Sequence, residues 1–191
     1  MTPIQPHRLI EACGMLPLLH VPTGEVHVAC LGPLAEAFAA IACLWPDVKV
    51  IYTPEPTPRV RDRRITQEKP APGSCQAVLL SPEQDIAQGG SLLAKGGILS
   101  ASTQDGDRWR PLIDSAKKQL GNAMPWRENT PMPIYGILAV AGTFKPSRMR
   151  EPPPQAKRLH SKYLPCLFTF GKDELPLVLP KMTNSDKVST P

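Results

Sequence analysis

Gln76-Ala-Val-Leu-Leu-Ser-Pro82, a helix-length spacer, and Leu92-Leu-Ala-Lys-Gly-Gly-Ile-Leu-Ser-Ala-Ser-Thr103 decide the fold class of this chain. Two apolar runs of strand length, joined by a connection too long for a hairpin, describe a β-α-β unit with parallel strands. Lys95-Gly96-Gly97 is expected to stop the connection just before the second strand. Upstream the pattern repeats. Glu25-Val-His-Val-Ala-Cys-Leu31 alternates and then turns continuously apolar, as a strand entering a buried sheet does. Leu34 to Trp45 is rich in strong helix formers, and Val48-Lys-Val-Ile-Tyr52 is a second strand. Right-handed crossovers place both units in one sheet, so the fold class is α/β: Rossmann-like, doubly wound and mostly parallel.

The flanks are read from the same signals. Residues 7–20 carry apolar side chains at helical spacing, with Pro17 expected to break the helix. Thr53 to Gly73 is proline-rich and basic, a loop with a short edge strand near Val60 to Ile65. Asp107 to Leu120 is amphipathic, with Trp109, Leu112, Ile113, Ala116 and Leu120 on its core face and Gly121-Asn122 as its stop. Ala123–Arg127 and Ile134–Ala141 are too close for a helical crossover, so an antiparallel hairpin closes the sheet. Residues 1–142 then form one domain.

Residues 143–191 form a basic, proline-rich arm around Pro152-Pro153-Pro154, biased to extended polyproline geometry. Within it Tyr163–Phe170 is expected as an edge strand, Leu175–Pro180 as an extended segment, and Met182–Pro191 as unstructured without a partner. Its apolar residues need a surface to cover. The arm therefore fits contact with a protein partner or a second copy of the chain.

A chain of 191 residues suits one such domain with a tail. Hydrophobic residues make up 41% and charged residues 20%, which excludes a wholly disordered chain. Of the 24 prolines, three lie between residues 73 and 130, where regular structure is expected to be densest. The formal charge of +5 is concentrated in two clusters. One holds Arg59, Arg61, Arg63 and Arg64; the other holds Arg148, Arg150, Lys157 and Arg158. Both are candidate contact patches for nucleic acid or an acidic surface, although no aromatic side chain interleaves the first.

The five cysteines show no metal-finger spacing, so no metal site is expected, and Cys30, Cys43 and Cys75 read as buried thiols of a reducing compartment. His27 falls on the polar phase of its strand, without a partner at metal or catalytic spacing. No uninterrupted apolar stretch reaches the length of a membrane span. A cytoplasmic protein with no membrane partner is expected.

Parallel units followed by a closing antiparallel hairpin resemble the class I S-adenosylmethionine-dependent methyltransferases, with the spermidine synthase (aminopropyltransferase) branch the nearer likeness. Leu92-Leu-Ala-Lys-Gly-Gly-Ile-Leu-Ser100 resembles the strand entry of that branch, Gly32 takes the place of its glycine-rich first motif, and Pro131 to Ala141 is similar to its penultimate segment. The resemblance implies a cofactor site, for S-adenosylmethionine or its decarboxylated form, near Gly32, Glu55 and Ser81. The departures are as informative. Ala29-Cys-Leu-Gly32-Pro-Leu-Ala has one glycine where the family has several, and Pro33 removes an amide donor. Tyr52-Thr53 stand where the family carries the acidic residue that binds ribose, with Glu55 displaced. Ser81-Pro82 replace the family's aspartate, and a neutral hydroxyl is no base without a partner. Asp85 is the remaining candidate for that catalytic role.

Three functions stay open. A fold that has lost its cofactor pocket serves as a structural or protein-interaction module, such as a subunit of a larger viral or accessory assembly formed in the cytoplasm. Alternatively, the chain is a working methyl- or aminopropyltransferase, with Gly32, Glu55 and Asp85 in reduced versions of the usual roles. The third is a nucleic-acid-associated protein using the basic clusters.

Overall fold

The computed structural model describes residues 6–22, 24–128, 133–142 and 150–157, with side chains from Cys13 onward except that of Glu128. Its helices are α1 (Pro6–His20), α2 (Ala35–Ala42), α3 (Ile86–Leu92) and α4 (Gly106–Leu120). Its strands are β1 (Val26–Leu31), β2 (Val48–Tyr52), β3 (Ile65–Thr66), β4 (Cys75–Leu80), β5 (Leu93–Thr103), β6 (Met124–Glu128) and β7 (Ile134–Val140).

The strands form one sheet in the order β3-β2-β1-β4-β5-β7-β6. Neighbours from β3 to β5 run parallel, and β5-β7-β6 are antiparallel. The fold is thus mixed α/β with a mostly parallel sheet closed by a C-terminal hairpin, as the two apolar units and the short β6–β7 gap required. Pro125 is accommodated because β6 is an edge strand, where a missing amide donor is tolerated.

Both faces of the sheet are covered, which is why its central strands are apolar on both sides. On one face α1, α2 and the turn after α2 pack Leu16, Leu19, Phe38 and Trp45 against Val28, Leu79 and Leu138. On the other, α3 and α4 bring Ile86, Ile113 and Ala116 onto Val78, Leu99 and Ile137. Burying a leucine or phenylalanine side chain contributes about 1.5–3 kcal/mol, so these two layers are the main source of stability. Trp109 belongs to the second layer only in part: half-exposed, it stacks on Tyr135 with ring centroids 4.9 Å apart, while its Nε1 donates to Gly136 O at 3.0 Å.

Three elements depart from the sequence expectations. α1 runs through Pro17 rather than breaking there, because residues 13–20 are all buried and the helix continues with Val21 N donating to Pro17 O at 3.1 Å. Packing on both sides of the proline outweighs one missing hydrogen bond. Lys95-Gly96-Gly97 lies inside β5 rather than before it. The ladder shifts register there: Gly96 adopts φ +79°, its N–H donates to Ala141 O at 2.8 Å, and Gly97 O accepts from Ala141 N at 2.9 Å. The glycines make a bulge, not a stop. Finally, the edge strand expected near Val60 to Ile65 is confined to Ile65–Thr66.

Residues 150–157 return to the domain. Arg150 N donates to Leu19 O at 2.8 Å, its guanidinium reaches Asp47 at 2.5 Å, and the same group lies 4.8 Å from the centre of the Trp45 ring. The arm is therefore anchored at its start. Its expected strand at Tyr163–Phe170, the segment Leu175–Pro180 and the end at Met182–Pro191 lie outside the described residues. Among the described residues no helix is long and apolar enough to cross a membrane.

Candidate functional site

The strand order reverses between β1 and β4: one chain connection leaves toward β2, the other side of the sheet grows toward β5. At such a switch point the crevice beyond the carboxyl ends of the strands is where an open α/β sheet takes a ligand. Gly32 follows β1, Tyr52 ends β2 and Ser81 follows β4, so the topology brings Gly32 and Ser81 to one place.

What they do there is structural. Ser81 is 1% exposed, and its N–H and its hydroxyl both donate to Leu31 O, at 2.9 and 2.7 Å. The same hydroxyl accepts from Leu34 N at 2.9 Å. Leu34 is the N-cap of α2 and has no capping side chain of its own; Ser81 satisfies the N-cap backbone N–H, the donor that the N3 side chain of a capping box would take. The serine joins β1, the following turn and α2 to the end of β4. With its proton on Leu31 O and a lone pair on Leu34 N, it is not poised to take a proton from a substrate.

Gly32 adopts φ +88°, in the left-handed region. A Cβ added there would come within 2.7 Å of Ser81 Cβ and 2.8 Å of Gln84 Cγ and Cδ. The open face of the glycine, which in a cofactor site receives the ligand, is covered by Gln84. Beside it a cavity of about 70 Å³ is lined by Leu31, Tyr52, Lys69, Gln84, Gln88 and Leu92. Ligand pockets occupy roughly 300–1,000 Å³, so this one is several-fold too small for a nucleoside cofactor.

The acidic candidates lie elsewhere. Glu55 is exposed and outside the lining of that cavity; its backbone carbonyl accepts from Thr53 Oγ1 at 3.0 Å. Asp85 is exposed and is the N-cap of α3, with its Oδ1 accepting from Ala87 N at 2.9 Å. Sequence reasoning passed over Glu83, which holds φ +67° and accepts from Thr103 Oγ1 at 2.8 Å while pairing with Arg108. It also missed Gln84. No periodicity or motif marks a side chain that folds back over a glycine fifty residues upstream.

The first basic cluster divides. Arg64 turns inward: it bonds Asp62 through Nε at 2.9 Å and Nη2 at 2.7 Å, and donates to the carbonyls of Cys43, Trp45 and Val48 at 2.7–3.0 Å. It ties the Asp62–Arg64 turn to the end of α2 and the start of β2, so it is a structural side chain and not a contact residue. Arg59, Arg61 and Arg63 remain exposed. Of the second cluster, Arg150 is held inward by Asp47 and Trp45, and Lys157 is exposed and paired with Glu151 at 3.0 Å. Arg148 and Arg158 lie outside the described residues.

Three of the described thiols are shifted away from reactivity. Burial drives the Cys30 thiol far above its ordinary range and raises Cys75. Burial, then the Asp62 carboxylate, pushes Cys43 up to about 11. A reactive thiol needs the opposite shift. Hydrogen bonds from Arg64 hold the Asp62 carboxyl well below the usual carboxylate range. Among the described residues no group of three or more His, Cys, Asp or Glu could hold a metal ion.

No family model matches the sequence, and no curated protein matches it by sequence. Solved structures do match the fold. A spermidine synthase from Thermotoga maritima superposes with a TM-score of 0.57 at 12% identity, over 82% of this chain and 70% of that one. A spermidine synthase bound to the transition-state analogue AdoDATO gives 0.59 at 12% identity, over the same shares. A predicted O-methyltransferase from Agrobacterium tumefaciens gives 0.51 at 13% identity, over 80% of this chain and 96% of that one. The chain therefore has a class I methyltransferase-like fold, shared with spermidine synthase. At these identities the shared property is the fold.

Proposed function

We propose that this chain uses a methyltransferase and spermidine synthase-like fold as a structural or protein-interaction module, with the cofactor cleft closed. The observation that carries this is the packing of Gln84 and Ser81 on the open face of Gly32, which leaves a cavity of about 70 Å³. Three features support it: Ser81 stands where the family has an aspartate and is bonded within the fold, Glu55 is exposed and outside the lining of that cavity, and Asp85 caps a helix. No cofactor is needed for such a role. Residues 143–191, held to the domain through Arg150, supply the arm that would engage a protein partner or a second copy.

Calorimetric titration of the full chain with S-adenosylmethionine and with its decarboxylated form tests the first half. No saturable heat is expected with either; micromolar binding of one would reassign the chain to the transferases. Comparing the mass in solution of the full chain with that of a chain ending at Lys157 tests the second half. A monomer whose size and stability ignore the truncation, and which recovers no partner, contradicts the interaction role.

A further inference from the structure

We propose that the open cleft beside β3 is a docking site for an acidic, extended segment of a partner protein, gripped by Arg61 and Arg63. The cleft measures about 740 Å³, and Thr53, Thr57, Val60, Arg61, Arg63 and Thr66 are among its walls. That volume falls within the range of ligand pockets, roughly 300–1,000 Å³. It shares no lining residue with the cavity at Gly32, so its fate is independent of whether that cavity admits a cofactor.

Two arginines need an anion here. Arg61 and Arg63 are exposed, and among the described residues neither guanidinium has a hydrogen-bond or ion-pair partner. Asp62, which lies between them on the cleft wall, does not neutralise them, because its carboxylate is taken by Arg64 through both oxygens. The same Arg64 fastens this turn to three backbone carbonyls of the domain. The two cations are thus presented from a fixed backbone, which lowers the ordering cost of binding. Their planar forks match carboxylates in bidentate geometry.

The remaining walls favour a peptide. Among the described residues β3 is the edge of the sheet, with β2 as its partner on one side, and such an edge is where an extended chain adds. Thr66 Oγ1 accepts from Glu68 N at 3.1 Å and keeps its proton to donate. Pro56, Val60 and Ile65 add apolar contact. No Phe, Tyr, Trp or His lines the cleft, so it lacks the stacking platform on which single-stranded nucleic acid depends.

Fluorescence anisotropy on the full chain tests this with two labelled probes, a short oligoglutamate peptide and an oligouridylate of equal charge. The variants are Arg61→Ala with Arg63→Ala, and a control, Lys95→Ala with Lys118→Ala, which removes the same charge outside the cleft. Both pairs are exposed, and matching unfolding midpoints verify the fold. The expected result is oligoglutamate binding that weakens about tenfold or more in the cleft variant and stays within about twofold in the control, since two charge-assisted forks are lost only in the first. Equal loss in both variants would reduce the effect to net charge and overturn the proposal. So would absence of oligoglutamate binding, or oligouridylate bound more tightly with the same dependence on Arg61 and Arg63.

Discussion

Two places on the parallel half of the sheet have opposite fates. At the switch point between β1 and β4, Ser81 and Gln84 close over Gly32 and leave about 70 Å³; beside β3, a cleft of about 740 Å³ stays open under two arginines that have no partner among the described residues. The difference lies in where each loop finds its hydrogen bonds. The Gly32 turn is satisfied from within, by Ser81 and its neighbours, and Gln84 folds over it. The Asp62–Arg64 turn is satisfied from behind, by Arg64 reaching into the domain, which leaves its front free. A loop tied down from its back can face a partner; one tied down across its mouth cannot.

Substitutions can break that contrast, and the largest effect belongs at Arg64. Arg64→Ala removes the Asp62 pair and three carbonyl bonds of a mostly buried group, and is expected to cost about 3 kcal/mol in urea unfolding. A loss below about 1 kcal/mol would mean the turn is not held from behind. The pair carries a pH signature. Because the folded-state pKa of Asp62 lies below its unfolded value, the stability it contributes is whole above about pH 4 and is lost as pH falls through the folded value. Asp62→Asn is expected to flatten the acid limb of the stability curve.

Gly32→Ala comes next, at about 2 kcal/mol, from the left-handed backbone and the displacement of Ser81 and Gln84. If it were neutral, the crevice would be looser than the packing indicates. Ser81→Ala is expected to cost about 1–2 kcal/mol, because it leaves the Leu34 amide at the N-terminus of α2 without its acceptor. Arg108→Ala breaks a solvent-exposed pair with Glu83 and is expected to leave the unfolding midpoint essentially unchanged, since water screens such a pair.

The architecture was legible because it follows from period and length. The continuous apolar runs at Val28–Leu31 and Ala77–Leu80 suit strands of a sheet covered on both faces, and the short β6–β7 connection suits a hairpin and not a helical crossover. Local punctuation was less informative. Pro17 and Gly96-Gly97 carry breaker signals that packing and a bulge absorb, since a residue's preference is weaker than the burial of its neighbours. For the site, sequence located Gly32 and Ser81 at one crevice but could not say that Gln84 fills it, because the contact joins a loop to a turn fifty residues away. Arg61, Arg63 and Arg64 looked alike as a run of charge. Only the fold separates the one turned inward from the two facing out.

The most direct test of the closed crevice is an amide NMR titration of the full chain with S-adenosylmethionine, following Gly32, Leu34 and Tyr52. The account predicts that all three resonances stay fixed up to millimolar ligand, with the Leu34 amide protected from exchange by Ser81. Saturable shifts centred on Gly32 would mean that Gln84 yields to the cofactor, and would contradict it.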